Sequence, residues 1–134
     1  MINDLLFVYG SLLSADNEFA NYLSQNATFY GDGKFKGRLY DMGKYPGAVL
    51  SNDQAYDISG SIVRLKNLEQ VLKVLDDYEG FGEDQEQPNL FIRDLLPVIT
   101  SDEPVNCWVY LYNLSVNGLM EIKSGNYINY LKSH

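Results

Sequence analysis

The chain has one cysteine, one histidine and four prolines among its 134 residues. It also has no apolar run approaching the roughly 20 residues that cross a bilayer as a helix. Each shortage removes a class of function. Cys107 has no partner for an intramolecular disulfide, so nothing calls for an oxidising compartment. The only histidine is His134 at the last position, which leaves none elsewhere for a zinc site or a conventional Ser-His-Asp triad. Positive charge is scarce too: 10 Lys and Arg stand against 18 Asp and Glu, a formal charge of −8. Phosphate neutralisation requires cations, so nucleic acid and anionic membrane surfaces are unsuitable partners. Met1 to Tyr9 carries no basic n-region and no cleavage pattern, so no signal peptide is expected and the expected location is the cytoplasm. Neither a metal nor a cofactor is expected. Chemistry falls to carboxylates, hydroxyls or backbone.

What is present suits one ordered domain over residues 1–134. A chain of this length buries about 68% of its unfolded surface, enough for a single core. Hydrophobic residues make up 46%, with 11 Tyr and 6 Phe, which favours a strand-rich fold over disorder. Leu5-Leu6-Phe7-Val8-Tyr9 is a continuous apolar run ended by Gly10, the pattern of a strand buried on both faces. Asp16 is placed to cap a short helix through about Gln25, with Phe19 and Leu23 on one face. From Thr28 to Leu65, strand-like pieces alternate with Gly31, Gly33, Gly37, Gly43, Gly47 and Gly60, read as turns between short antiparallel strands. The clearest helix follows. Asn67 and Gln70 suit a capping box, Leu68, Val71, Leu72 and Leu75 form an amphipathic stripe, and Gly80 stops it. An acidic turn from Phe81 to Pro88 leads to an apolar strand from Leu90 to Thr100. In Val105 to Tyr112, residues Val105, Cys107, Val109 and Leu111 share one face; Asn106, Trp108, Tyr110 and Tyr112 share the other. A short helix within Gly125 to Leu131 ends the pattern. The expected class is α+β, a small mainly antiparallel β-barrel with flanking helices.

Two segments can carry chemistry. Tyr9-Gly10-Ser11-Leu12 leaves a buried strand through glycine, exposing backbone N–H groups that can cradle a carboxylate or phosphate. The same residues suit an ordinary strand-to-helix turn. Glu79 lies in Leu75-Asp76-Asp77-Tyr78-Glu79-Gly80, four residues beyond Leu75 on the buried stripe. Burial and repulsion from Asp76 and Asp77 would both raise its pKa toward the range of a general base. A solvated charge in a fraying last turn is the plainer alternative. Tyr45-Pro46-Gly47 reads as a turn whose Tyr45 can line a site. Arg93 interrupts an apolar strand and suits an ion-pair partner or a substrate clamp, the first being favoured. Cys107 reads as a core thiol. Glu83, Asp84 and Glu86 read as a solvated loop that can also act as a lid.

These blocks together resemble the gamma-glutamylcyclotransferase-like superfamily, and its short bacterial branch in particular. The resemblance rests on Tyr9-Gly10-Ser11-Leu12, on the Gly37-to-Gly47 block and on the helix ending Asp76-Asp77-Tyr78-Glu79-Gly80. It rests also on Trp108-Val109-Tyr110-Leu111-Tyr112 and on Ile122-Lys123-Ser124-Gly125-Asn126-Tyr127. In the last block Asn126 and Tyr127 stand where bacterial members usually carry Asp and Trp. The resemblance implies a barrel with a pocket at one end. It implies a cofactor-independent cyclisation, formally a transferase or amine-lyase reaction, in which a γ-glutamyl compound releases 5-oxoproline and a free amine. Glu79 matches the catalytic acid/base. Tyr9, Gly10, Ser11 and Leu12 match the segment that binds the substrate's α-carboxylate, and Tyr45 and Tyr112 are further candidates to line the pocket. The expected partner is a small γ-glutamyl-containing ligand; the expected assembly is a monomer or weak homodimer. A non-catalytic protein binding a similar ligand in the same pocket is the alternative. A hydrolase using Asp77 and Glu79 as a carboxylate pair is disfavoured, because residues two apart on a helix diverge.

Overall fold

The computed structural model describes residues 3–9, 18–43, 45–53 and 56–132. The order of elements is β1 (Leu5–Val8), α1 (Glu18–Gln25), β2 (Ala27–Asp41), β3 (Pro46–Leu50), β4 (Asp57–Leu65), α2 (Leu68–Glu79), β5 (Phe91–Val98), β6 (Val105–Tyr112), β7 (Met120–Glu121) and α3 (Tyr127–Lys132). The seven strands form one curled sheet in the order β3-β2-β4-β1-β6-β5, with β7 beside β2. The β1–β6 pairing is parallel and the other ladders are antiparallel, so the expected α+β class takes the form of a mixed half-barrel with three helices among the described residues.

The sheet separates two apolar layers, and this explains the unbroken apolar run of β1. Leu5 and Phe7 face the barrel interior with Phe35, Leu39, Ile58, Ile62, Val98 and Val109. Leu6 and Val8 face outward beneath the helices, among Leu23, Leu65, Val71, Leu72 and Leu75. In β6, Cys107, Val109 and Leu111 point into the barrel as the alternation predicts. Tyr110 on the opposite face is equally buried, because α2 covers it.

The glycine cadence was misleading as a set of turns. Gly31, Gly33 and Gly37 lie inside the single 15-residue strand β2, while Gly47 and Gly60 lie inside β3 and β4. Gly33, Gly37, Gly47 and Gly60 serve close approach, Gly31 has open space beside it, and Gly43, at φ 105° between β2 and β3, does lie in a turn. A Cβ on Gly33 would sit 2.6 Å from Val98 Cγ1, where the end of β5 returns to β2 and Lys34 and Ile99 exchange backbone hydrogen bonds of 3.0 and 2.8 Å. That bridge draws the sheet toward closure. A bulge at Tyr30, between the Phe29–Val63 and Gly31–Ile62 pairs, adds to the curl.

Helix α2 has the expected stripe, with Val71, Leu72 and Leu75 buried. The capping box does not form. Asn67 adopts a left-handed conformation (φ 51°) and makes no side-chain cap bond, because the box needs its cap residue in the extended region. The other end behaves as predicted. Gly80 at φ 73° allows the Gly80 and Phe81 N–H groups to donate to the Asp77 and Asp76 carbonyls, at 3.3 and 2.9 Å. This pair of bonds is the Schellman stop, and it leaves Glu79 as the last helical residue. The proposed cap Asp16 lies outside the described residues.

Candidate active site

Five sequence-distant segments surround one cavity of about 160 Å³ at the end of β1. Strand β1 and the residue that follows it contribute Leu6 to Tyr9. The turn entering β3 contributes Tyr45 and Pro46, the end of α2 contributes Tyr78 and Glu79, and the start of β5 contributes Leu90 and Phe91, with Tyr110 of β6 also lining the wall. The walls are therefore aliphatic and aromatic, and Glu79 is the one charged side chain among the described lining residues.

Glu79 gets there by helical geometry. It stands four residues beyond Leu75, which is fully buried, so it continues the stripe that packs α2 onto the sheet. Its side chain is only partly exposed, and that exposure opens onto the cavity. Burial pushes its pKa from the ordinary carboxylate value up to about 7. The expectation that Asp76 and Asp77 also raise it needs correction, since burial is the cause and neither neighbour contributes. The reason is geometric. Asp76 is neutralised by Arg93, whose Nε and NH2 donate to its two carboxylate oxygens at 2.7 and 3.0 Å. Asp77 points to solvent and accepts a bond from Gln85 Nε2 at 3.3 Å. Arg93 is thus an ion-pair partner, as favoured from the sequence.

Tyr9 is the second convergent group. Its hydroxyl donates to the Tyr110 carbonyl, and the Ala48 backbone N–H is aimed at the same oxygen. One phenol thereby links the end of β1 to β6 and β3. Burial first, and the nearby Glu79 carboxylate second, hold its pKa well above that of a free phenol. Tyr45 lines the cavity and packs on Phe91 with ring centroids 6.0 Å apart. Tyr112 stands behind it, edge-on to Phe91 at 5.7 Å and against Gly47. Gly10, Ser11 and Leu12 lie outside the described residues.

The acidic loop after α2 is tied across its base. Gly82 N–H donates to Asn89 Oδ1 at 3.0 Å, and Asn89 Nδ2 returns a bond to the Gly82 carbonyl at 2.9 Å. Sequence reading did not single out Asn89, Leu90 or Tyr78 for any part in the site, and it gave Asp76 only a repulsive one. The signal for the pair was Arg93, a lone cation in a largely apolar strand that calls for an anionic partner, but nothing local pointed to Asp76, 17 positions earlier. Among the described residues, no three His, Cys, Asp or Glu side chains gather closely enough to hold a metal ion, and no helix is long and apolar enough to cross a membrane.

A curled half-barrel with a partly buried glutamate at a helix end, facing the first strand, defines a class of small pocket-bearing proteins. The family model described as "Gamma-glutamyl cyclotransferase, AIG2-like" matches residues 6–129. The chain belongs to that gamma-glutamylcyclotransferase family, and its class is that of a gamma-glutamylcyclotransferase-like enzyme. The gamma-glutamylcyclotransferase family protein YtfP of Escherichia coli (strain K12) is 30% identical over 125 residues, covering 92% of this chain and 96% of the relative. A gamma-L-glutamyl-butirosin B gamma-glutamyl cyclotransferase of Niallia circulans is 30% identical over 113 residues, 81% of this chain and 66% of that protein. The solution structure of Escherichia coli YtfP superposes with a TM-score of 0.66 at 27% identity, covering 94% of this chain and 97% of that one. The crystal structure of a mouse AIG2-like protein shares the fold, with a TM-score of 0.65 at 23% identity over 85% of this chain and 80% of that one.

Proposed function

We propose that the protein cyclises a small γ-glutamyl compound to 5-oxoproline and a free amine, with Glu79 as the single acid/base. The observation that carries this reading is a carboxylate poised near pH 7 by burial in an apolar cavity. A group with that pKa can both accept and return a proton at neutral pH. The carboxylate removes a proton from the substrate's α-ammonium. The freed amine attacks the γ-carbonyl carbon, forming the ring C–N bond. As the tetrahedral species collapses, the bond to the attached nitrogen breaks and Glu79 returns the proton to that departing nitrogen; the ring nitrogen's second surplus proton follows by the same carboxylate, so the amine leaves as an ammonium. Atoms balance without water or a cofactor. The nucleophile belongs to the substrate, so the protein's work is positioning, which supplies about 7–11 kcal/mol in well-oriented intramolecular reactions.

The buried carboxylate also suits the incoming ammonium, which brings the positive charge that the described cavity wall lacks. We assign the backbone from Tyr9 through Gly10, Ser11 and Leu12 to the α-carboxylate, and Tyr45, backed by Tyr112, to the aromatic side of the pocket. The Niallia circulans relative, named for a γ-L-glutamyl substrate, supports the substrate class. The test is a mass-spectrometric screen of γ-glutamyl amino acids, γ-glutamyl polyamines, ε-(γ-glutamyl)lysine and glutathione for released 5-oxoproline. Release by the wild-type protein and not by Glu79→Gln is expected. A thermal shift with these compounds and no 5-oxoproline from any of them would replace the enzyme reading with a binding protein.

A further inference from the structure

Three side chains outside the acid/base step meet one helical turn before Glu79. Asp76 of α2 receives Nε and NH2 of Arg93 from β5, and the Tyr110 hydroxyl from β6 donates to its Oδ1 at 2.7 Å. The guanidinium lies 4.7 Å from the Trp108 ring centroid and 5.6 Å from that of Phe81. Phe81 is the residue whose N–H closes the helix on the Asp76 carbonyl. Asp76 therefore anchors the end of α2 through its side chain and its backbone at once. Tyr110 ties in the far wall, because its carbonyl receives the Tyr9 hydroxyl.

This network has a task that bare stability does not explain. Last helical turns fray readily, and the negative end of the helix dipole disfavours an anion there. A desolvated Glu79 carboxylate also gains by moving out into water. Something must oppose that motion if the carboxylate is to stay in the cavity. A two-pronged guanidinium–carboxylate pair is the strongest and most directional restraint a side-chain pair supplies.

We propose that Arg93 and Tyr110 are positioning residues that hold Glu79 in the cavity by clamping Asp76, three residues earlier on the same helix. Its kinetic consequence rests on the cyclotransferase reading; its structural consequence does not. Among the described residues, the titratable and charged groups around Glu79 are Tyr9 just after β1, Tyr45 before β3, Tyr110 from β6, and Asp76, Asp77 and Tyr78 on its own helix, with Arg93 of β5 bound to Asp76. Tyr9, Tyr45 and Tyr110 all hold their protons more tightly than a free phenol, so they are neutral wherever Glu79 titrates.

The experiment follows the Glu79 side-chain carboxyl by carbon-13 NMR through a pH titration of the full chain. It compares wild type, Tyr110→Phe, Arg93→Lys and Asp76→Asn, alongside kcat, KM and the pH profile on whichever γ-glutamyl compound the screen identifies. Lys keeps the charge of Arg93 but loses the fork. The wild-type midpoint is expected near 7. In Arg93→Lys and Asp76→Asn it should fall toward the ordinary carboxylate range as water reaches the loosened turn. The acid limb of kcat/KM should move with it, and kcat should fall roughly 10- to 100-fold with KM changed far less. Tyr110→Phe removes one hydroxyl, should stay folded, and should show part of each effect. Should the ion-pair variants fail to fold, Tyr110→Phe decides alone. An unmoved Glu79 midpoint and an unmoved acid limb in folded variants would overturn the proposal and reduce the network to a structural tie. A wild-type protein that turns over no γ-glutamyl compound would overturn the functional reading, while the titration would still decide the positioning.

Discussion

Arg93 and Asp76 are joined by two parallel hydrogen bonds of 2.7 and 3.0 Å, across 17 positions of sequence, on the turn that presents Glu79 to the cavity. The pairing divides the acidic end of α2 into three separate roles. Asp76 is neutralised and anchored, Asp77 faces solvent, and Glu79 is left to burial alone. Repulsion among three crowded carboxylates is thus replaced by a single desolvated group.

Glu79→Gln keeps shape and hydrogen-bonding capacity but cannot take up a proton at neutral pH. Its turnover is expected to fall at least 10²–10⁴-fold, mainly in kcat. Wild-type kcat/KM should rise through an acid limb near pH 7, the pKa of Glu79 in the free protein. Asp77→Asn removes a neighbouring charge that points away from the cavity, so it should retain most activity. Near-native turnover by Glu79→Gln on a verified substrate would remove Glu79 from the mechanism.

Burial of Glu79 also makes stability depend on pH. Its folded-state pKa of about 7 exceeds the unfolded value of about 4.3, so between these the folded protein binds more protons than the unfolded chain. Stability from this group therefore falls as pH rises from 4.3 to 7 and is level outside that window. The full effect is on the order of 3 kcal/mol, lessened by the opening of the cavity to water. Chemical denaturation should show Glu79→Gln more stable than wild type at pH 8, with the difference vanishing below about pH 4.3. Parallel wild-type and variant curves across that range would mean the carboxylate is hydrated.

Cys107 is fully buried in the barrel, and burial raises its thiol pKa to about 11. The reactive species is the thiolate, so a disulfide reagent at pH 8 should label native protein negligibly and unfolded protein stoichiometrically. Rapid labelling of the native protein would contradict the inward face of β6.

Leu75 is the fully buried residue one turn before Glu79 and packs α2 on the sheet. Leu75→Ala should cost about 2–5 kcal/mol by denaturant unfolding, the range for truncating a buried leucine. A loss under about 1 kcal/mol would mean that α2 is less tightly seated on the sheet than its burial indicates.

Local pattern was enough wherever backbone geometry sets the signal. The 3.6-residue stripe of Leu68, Val71, Leu72 and Leu75 announces α2, Gly80 its end, and the two-residue alternation of Val105 to Tyr112 announces β6, because those periods belong to the chain itself. The stripe also places Glu79 on the inward side of its helix. Nothing local distinguishes a glycine in a turn from one inside a strand pressed by a neighbour, so Gly33 within β2 became legible only once Val98 was seen beside it. Asn67 likewise has cap chemistry but adopts a left-handed backbone that its residue type alone does not announce. The site depends on distance in sequence. Tyr9, Tyr45, Glu79, Phe91 and Tyr110 meet only because strand order and sheet curl bring five separated segments to one end of β1. Whether Asp76 repels Glu79 or steadies it turns on where Arg93 lands. That is a tertiary decision, because a charge's effect is set by the groups packed against it and not by its neighbours along the chain.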